Sequence, residues 1–205
     1  MKKIIVLSLL FVVVFNFSSC KSEKKADSNN EAKKSTAKFS LENAKKEINF
    51  TAYKTTDKIP VGGQFNKVNI ISGGEGNTIK EAINNTEFSI PVSSIFTKDT
   101  SRDFKIKKFF FGVMENTRLL SGKLVIENDS VGYTNIKMNG ATEKVPFIYF
   151  IEDNTFSLKA VMDINKWNVV EALESLNTAC LDLHKGGDGV SKTWSEVTLN
   201  IKSTF

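Results

Sequence analysis

Cysteine, histidine and proline are nearly absent from this chain: two, one and three of them stand among 205 residues. Each scarcity removes a class of explanation. With Cys20 near the start and Cys180 the only thiol after it, the stretch from Phe39 to Phe205 cannot form an internal disulfide, so its stability has to come from packing. The single histidine, His184, excludes multi-histidine metal sites, and any imidazole chemistry must use that one ring. Long apolar runs are missing as well. The longest, Ile4 to Phe15 with Ser8 inside it, falls short of the ~20 residues of a membrane-spanning helix. Lys2 and Lys3 precede that run and "NFSSC" follows it, which is the basic, apolar, small order of a secretory signal.

Ser18, Ser19 and Cys20 resemble the lipobox of bacterial lipoproteins, in which cleavage precedes the cysteine and its sulfur carries the lipid. Residues 1–19 are therefore expected to be a signal peptide, with Cys20 the lipidation site and membrane anchor. A plain signal peptide with an incidental cysteine is the alternative. Lys21 stands where an Asp would suggest inner-membrane retention, so the expected address is the outer membrane, on its periplasmic side. From position 20 to Lys38 no aromatic or large aliphatic residue occurs, and this stretch reads as a disordered tether.

An excess of positive charge, too, is missing where it would matter. The chain carries 28 basic and 23 acidic side chains. Setting aside Lys2, Lys3 and the six lysines and three acids of the tether leaves 20 of each sign in residues 39–205. A basic face for nucleic acid is not indicated.

Phenylalanine is what the chain has in abundance, and thirteen of its 16 lie in the 39–205 domain. Eight segments read as strands: 47–54, 61–70, 86–94, 117–128, 130–140, 143–152, 155–164 and 193–205. Pro91 marks the third as an edge or a bulge. Helices are few. Thr78 and Glu81 form a capping-box pair before 78–85, and Val169, Leu173, Leu176, Cys180 and Leu183 make one apolar side of 169–185 before the glycines at 186, 187 and 189. The stretch 103–114 is ambiguous; at helical spacing Phe104, Ile106, Phe109 and Phe110 share a stripe, with Phe111 to its side. The fold class expected is mainly β: a single eight-stranded antiparallel lipocalin-like barrel with two or three short helices. Eight strands enclose an interior that side chains fill or one slender ligand occupies, and composition alone leaves both open.

No motif compels chemistry. Cys180 and His184 are spaced to adjoin on a helix, which admits a cysteine nucleophile with a histidine base, but no orienting acid or oxyanion site accompanies them. A metal there lacks further ligands, so neither a metal nor a cofactor is expected. The glycine-rich "SGGEGNTIK" lacks both the Walker spacing and the dinucleotide fingerprint.

The order of several weak marks resembles the YceI-like family. "INFTAYKTTDKIPVGGQF" is similar to its first hairpin, with Gly63 and Phe65. "FSIPVSSIFTKDTSRDFKIKKFFF" is similar to its next section, with Arg102 and Asp103, "MNGATEKVPF" to a strand connection, with Gly140, Thr142 and Val145, and "DINKWNV" to a late Asp-Ile-x-x-aromatic element. The chain departs from the family in lacking histidines beside Ala52 and Phe104. The resemblance implies a barrel that holds a long isoprenoid lipid, such as a polyprenyl chain or quinone tail, without catalysis. Alternation makes the inward candidates Phe50, Phe88, Ile90, Phe109, Leu124, Phe147, Phe156, Leu158, Met162 and Leu199. A small-molecule enzyme or metal site at Cys180 and His184, and an empty barrel acting as a protein-interaction module with a filled interior, are the rival readings. The oligomeric state stays open, a dimer included.

Overall fold

A computed structural model of the chain describes residues 36–205. The expected signal peptide, Cys20 and nearly all of the tether lie outside the described residues. Strands β1 (Phe39–Ser40), β2 (Lys45–Lys54), β3 (Ile59–Phe65), β4 (Asn69–Ser72) and β5 (Glu75–Gly76) lead to helix α1 (Ile79–Ile83). Then come β6 (Glu87–Pro91), β7 (Ile95–Phe96), α2 (Thr100–Lys105), β8 (Leu119–Ile126), β9 (Val131–Met138), β10 (Ala141–Glu152), β11 (Thr155–Asp163), α3 (Val170–Ala179) and β12 (Thr193–Thr204).

The two-residue period decides which face is wet. In β10, apolar throughout 145–151, Val145, Phe147 and Tyr149 are buried, whereas Ile148 is 62% and Phe150 51% exposed. The β9–β10 register is pinned by a two-residue turn at Asn139 and Gly140, both with positive φ, which joins the paired Met138 and Ala141. Asn-Gly suits that mirror-image turn, whose twist matches its strands.

The main sheet has ten strands, not eight, and the two extra ones have a simple origin. The expected strand 61–70 is broken into β3 and β4, and the expected strand 86–94 keeps only β6, with β7 a two-residue strand just beyond its end. The pieces stay antiparallel but change register by two at the break: Gln64 opposes Phe96 and Phe65 opposes Ile95, the Asn66 N–H donates to the Ser94 carbonyl at 2.9 Å, and beyond it Asn69 opposes Ser89. Six long strands, β8 to β12 with β2, form a curled half-barrel, and this broken hairpin makes the remaining side. Pro91 is the last residue of β6 and is followed by a tight turn at Val92–Ser94, which is the irregularity its position implies. A separate pair, β1 with β5, lay below the reach of any pattern because each has two residues.

Two helices differ from expectation. The stretch after α2 continues as a π turn, Ile106–Phe110, in which the Phe111 N–H donates to the Ile106 carbonyl. The extra residue in that turn shifts the inward face by one position, so Phe110 and Phe111 are buried in the core while Phe104 is 57% exposed and Phe109 half-buried. The helix expected over 169–185 stops at Ala179 among poor helix formers, Asn177, Thr178 and Cys180. Leu183, counted on its apolar side, is exposed, and Cys180 and His184 do not share a helix. The capping box at Thr78 and Glu81 is present, with the Glu81 N–H donating to Thr78 Oγ1 at 3.2 Å.

Candidate functional site

The inward faces of the strands enclose a channel of about 230 Å³. On β12 its lining runs from Thr193 and Trp194 through Val197, Leu199 and Ile201 to Ser203, which is ~30 Å of strand at ~3.3 Å per residue. So small a volume over that length is a slender passage rather than a chamber. It exceeds the ~150 Å³ of apolar cavities that stay dry and take up benzene. Polar groups stand mostly at its ends. At one end Lys46 Nζ donates to the carbonyls of Glu42 and Ala44, each at 3.0 Å, and its strand partner Ser203 lies beside it. Midway, the buried hydroxyl of Thr134 has no hydrogen-bond partner among the described residues.

Nine of the ten inward candidates line this channel: Phe50, Phe88, Ile90, Leu124, Phe147, Phe156, Leu158, Met162 and Leu199. Phe109 does not, for the reason given by the π turn. Its place is taken by Ile106, Phe110 and Phe111, and α3 adds Leu173 and Leu176. The last two were legible as one side of a helix, but nothing in the sequence said that this side covers a barrel.

At the Thr193 end lies the Cys180 and His184 segment. Thr193 Oγ1 donates to Asn177 Oδ1 at 2.9 Å, and its oxygen stands 2.7 Å from His184 Nδ1. With the hydroxyl proton committed to Asn177, the ring donates from Nδ1, so its neutral form is the tautomer with Nε2 unprotonated. Burial, then the charges of Lys54, Lys105 and Arg102, lower the His184 pKa to about 4. Burial also pushes the Cys180 thiol up, against a weaker pull from the same three cations. A thiol whose pKa is raised, with the one imidazole engaged through Nδ1 at Thr193, is poorly set for nucleophilic attack. Among the described residues no three His, Cys, Asp or Glu side chains converge as a metal site would require.

Arg102 and Asp103 do not pair with each other. Asp103 accepts from the Thr97 N–H at 2.8 Å and from its hydroxyl at 2.7 Å, while Arg102 reaches Asp99 at 3.5 Å. Both fasten the 97–99 loop to α2. Lys54 donates to the Leu183 carbonyl at 2.9 Å, and neither it nor Lys105 has an acidic partner among the described residues. The charges that act on His184 at this end are all cations, Lys54, Lys105 and Arg102.

His184 gives a pH prediction. Its folded pKa lies below the 6.5 of the free side chain, so the unfolded chain takes the proton first. The stability it contributes is fully present above about pH 6.5 and is lost as pH falls toward about 4. The full shift corresponds to about 3 kcal/mol, which solvent screening of this half-exposed ring reduces to roughly 1 kcal/mol. Urea unfolding at about pH 7.5 and about pH 4.5 should show the wild type losing that much more than His184→Gln; equal losses would refute the assignment.

No family model matches the chain, and no curated protein matches it in sequence. Its backbone resembles a polyisoprenoid binding domain from Saccharophagus degradans, implicated in plant cell wall breakdown, with TM-score 0.55 and 9% identity over 78% of this chain and 93% of that one. It also resembles BcnA of Burkholderia cenocepacia, with TM-score 0.52 and 14% identity over 82% of this chain and 99% of that one. A mutant Campylobacter jejuni YceI protein aligns less well, at TM-score 0.45 and 15% identity over 68% and 84%. The first two likenesses span almost the whole of those chains and establish architecture. The chain shares the fold of those two proteins, a curled antiparallel half-barrel around an apolar channel.

Proposed function

We propose that this protein is a non-enzymatic binding protein of the cell envelope that stores or carries a long isoprenoid lipid, a polyprenyl chain or quinone tail, in its channel. In this reading Cys20 carries the lipid that anchors it to the outer membrane. The observation that carries the reading is the channel itself: slender, walled by phenylalanine and aliphatic side chains, with polar groups concentrated at the ends. Such a wall makes no directional demands on its occupant. It gains about 25 cal/mol for each Å² of lipid taken out of water, which suits an unfunctionalised tail. The polyisoprenoid binding domain that shares the fold supports the same assignment. Lys54 and Lys105 at the Thr193 end suit a phosphate or carbonyl head left at the mouth.

The rival readings have less support. An interaction module with a filled interior does not fit a 230 Å³ channel, and an enzyme at Cys180 does not fit a thiol held protonated. Native mass spectrometry of the mature chain, purified from an envelope fraction without detergent and followed by solvent extraction, tests the proposal. The expected result is a stoichiometric isoprenoid adduct. A bare mass that persists after incubation with polyprenols and quinones would remove the lipid reading.

A further inference from the structure

A small barrel lined with phenylalanine can be filled by its own rings. Here three of those rings lie directly opposite glycines on the adjacent strand: Phe50 opposes Gly63, Phe88 opposes Gly122 and Phe147 opposes Gly132. Opposed residues share a face of the sheet, so each glycine presents its missing side chain to the lumen beside a ring. The rings occupy that vacancy. A Cβ on Gly63 would stand 2.3 Å from Phe50 Cζ, and on Gly122 or Gly132 it would stand 2.7 Å from the Cζ of Phe88 or Phe147. Each ring is therefore laid against its neighbour's backbone instead of projecting to the barrel axis, and all three line the channel.

We infer that these ring-on-glycine seats set the girth of the channel, and that Gly63 with Phe50 is a specificity-determining pair for the lipid that enters. The inference rests on the proposal that the channel takes a lipid. Gly63 is the informative member. A Cβ on Gly122 or Gly132 would also meet a carbonyl oxygen of the next strand, Asn135 at 2.5 Å or Val125 at 2.4 Å, so substitution there strains the sheet itself. Around Gly63 the nearest atoms are all side-chain atoms, two of Phe50 and Thr97 Cγ2 at 2.9 Å. A methyl at Gly63 meets Phe50 most closely, so the ring leaves its seat and swings into the lumen, and it also presses on the buried Thr97 Cγ2. The pair thus discriminates by width and depth, and admits a tail only as far as the seated ring allows. Specificity of this kind needs no polar contact and suits a substrate class whose members differ in length alone.

The test uses the full mature chain and a ladder of all-trans polyprenols, read by native mass spectrometry, with xenon uptake by the ligand-free protein as a second readout. Gly63→Ala is expected to keep its far-UV circular dichroism, to lose about tenfold in affinity for the longest polyprenol bound by the wild type, and to take up less xenon. Gly63→Ala combined with Phe50→Leu is expected to restore both, because the smaller side chain no longer needs the seat. An unchanged ladder and unchanged xenon uptake in Gly63→Ala would overturn the inference, as would a double variant that restores neither. Should Gly63→Ala fail to fold, Phe50→Leu alone must widen the channel and raise xenon uptake; no increase overturns it. A wild type that takes xenon but no polyprenol would defeat the proposed function while leaving the seat to be judged by xenon.

Discussion

Ala160→Trp is expected to abolish lipid uptake, by more than a hundredfold in affinity, while the barrel stays folded. Ala160 is buried on β11 between Leu158 and Met162, opposite Leu199 on β12, and all four line the channel. It is the small side chain in a row of large ones. An indole there crosses a passage only one lipid chain wide, so a tail would have to stop short of it and lose the burial of everything beyond, at about 25 cal/mol for each Å². The cost to the fold is moderate, since overpacking a core residue costs ~1–3 kcal/mol and here part of the ring enters empty space. Val161→Trp supplies the control, because the next residue on the strand faces solvent at 59% exposure. Both variants would be checked for bound isoprenoid by native mass spectrometry and for folding by circular dichroism. Lipid retained in Ala160→Trp would show that the channel is not where the lipid lies.

How much of this was legible in the sequence depends on how local each signal is. Alternation in β11 and β12 is sided in the sequence, so Phe156, Leu158, Met162 and Leu199 could be assigned inward from spacing, whereas β10 is apolar on both faces and spacing alone does not separate Phe147 from Ile148. Phe109 could not be placed that way. Its assignment rests on alternation in a stretch whose period is ambiguous, and a single π turn sets the face at Phe110 and Phe111 without leaving a mark in composition. The strand count missed because a strand that bends and one that breaks carry the same alternation. The Phe50 and Gly63 seat was hidden for a different reason: each residue is ordinary in its own strand, and only the register between β2 and β3 brings them together. The segment after Ala179 shows the opposite error, where apolar spacing continued past the point at which weak helix formers ended the helix.

That same late region holds the residue on which the fold should depend most. Trp167→Ala is expected to cost about 3–5 kcal/mol, a large share of the ~5–15 kcal/mol that holds a domain folded. Trp167 belongs to the Asp-Ile-x-x-aromatic element between β11 and α3, and none of its surface is exposed. Its indole Nε1 donates to the Ile136 carbonyl of β9 at 2.9 Å, and its own carbonyl accepts from Asn139 Nδ2 at 2.9 Å. Asn139 sits in the β9–β10 turn, donates also to the Asn168 carbonyl at 3.0 Å, and accepts from the Glu115 N–H at 2.8 Å. The indole thus ties the connection that leads into α3 to β9, while the backbone carbonyls of Trp167 and Asn168 tie it through Asn139 to the β9–β10 turn. Removing it empties the largest fully buried side chain of the domain and releases α3, whose Leu173 and Leu176 cover the channel. Trp167→Phe should cost less, because it keeps most of the buried ring and forfeits chiefly the hydrogen bond, worth ~1 kcal/mol. Urea unfolding of the three proteins, followed by far-UV circular dichroism, reads this ordering. If Trp167→Ala lost no more stability than Trp167→Phe, the ring would not be filling the space assigned to it, and the anchoring of α3 over the channel would have to come from Leu173 and Leu176 themselves.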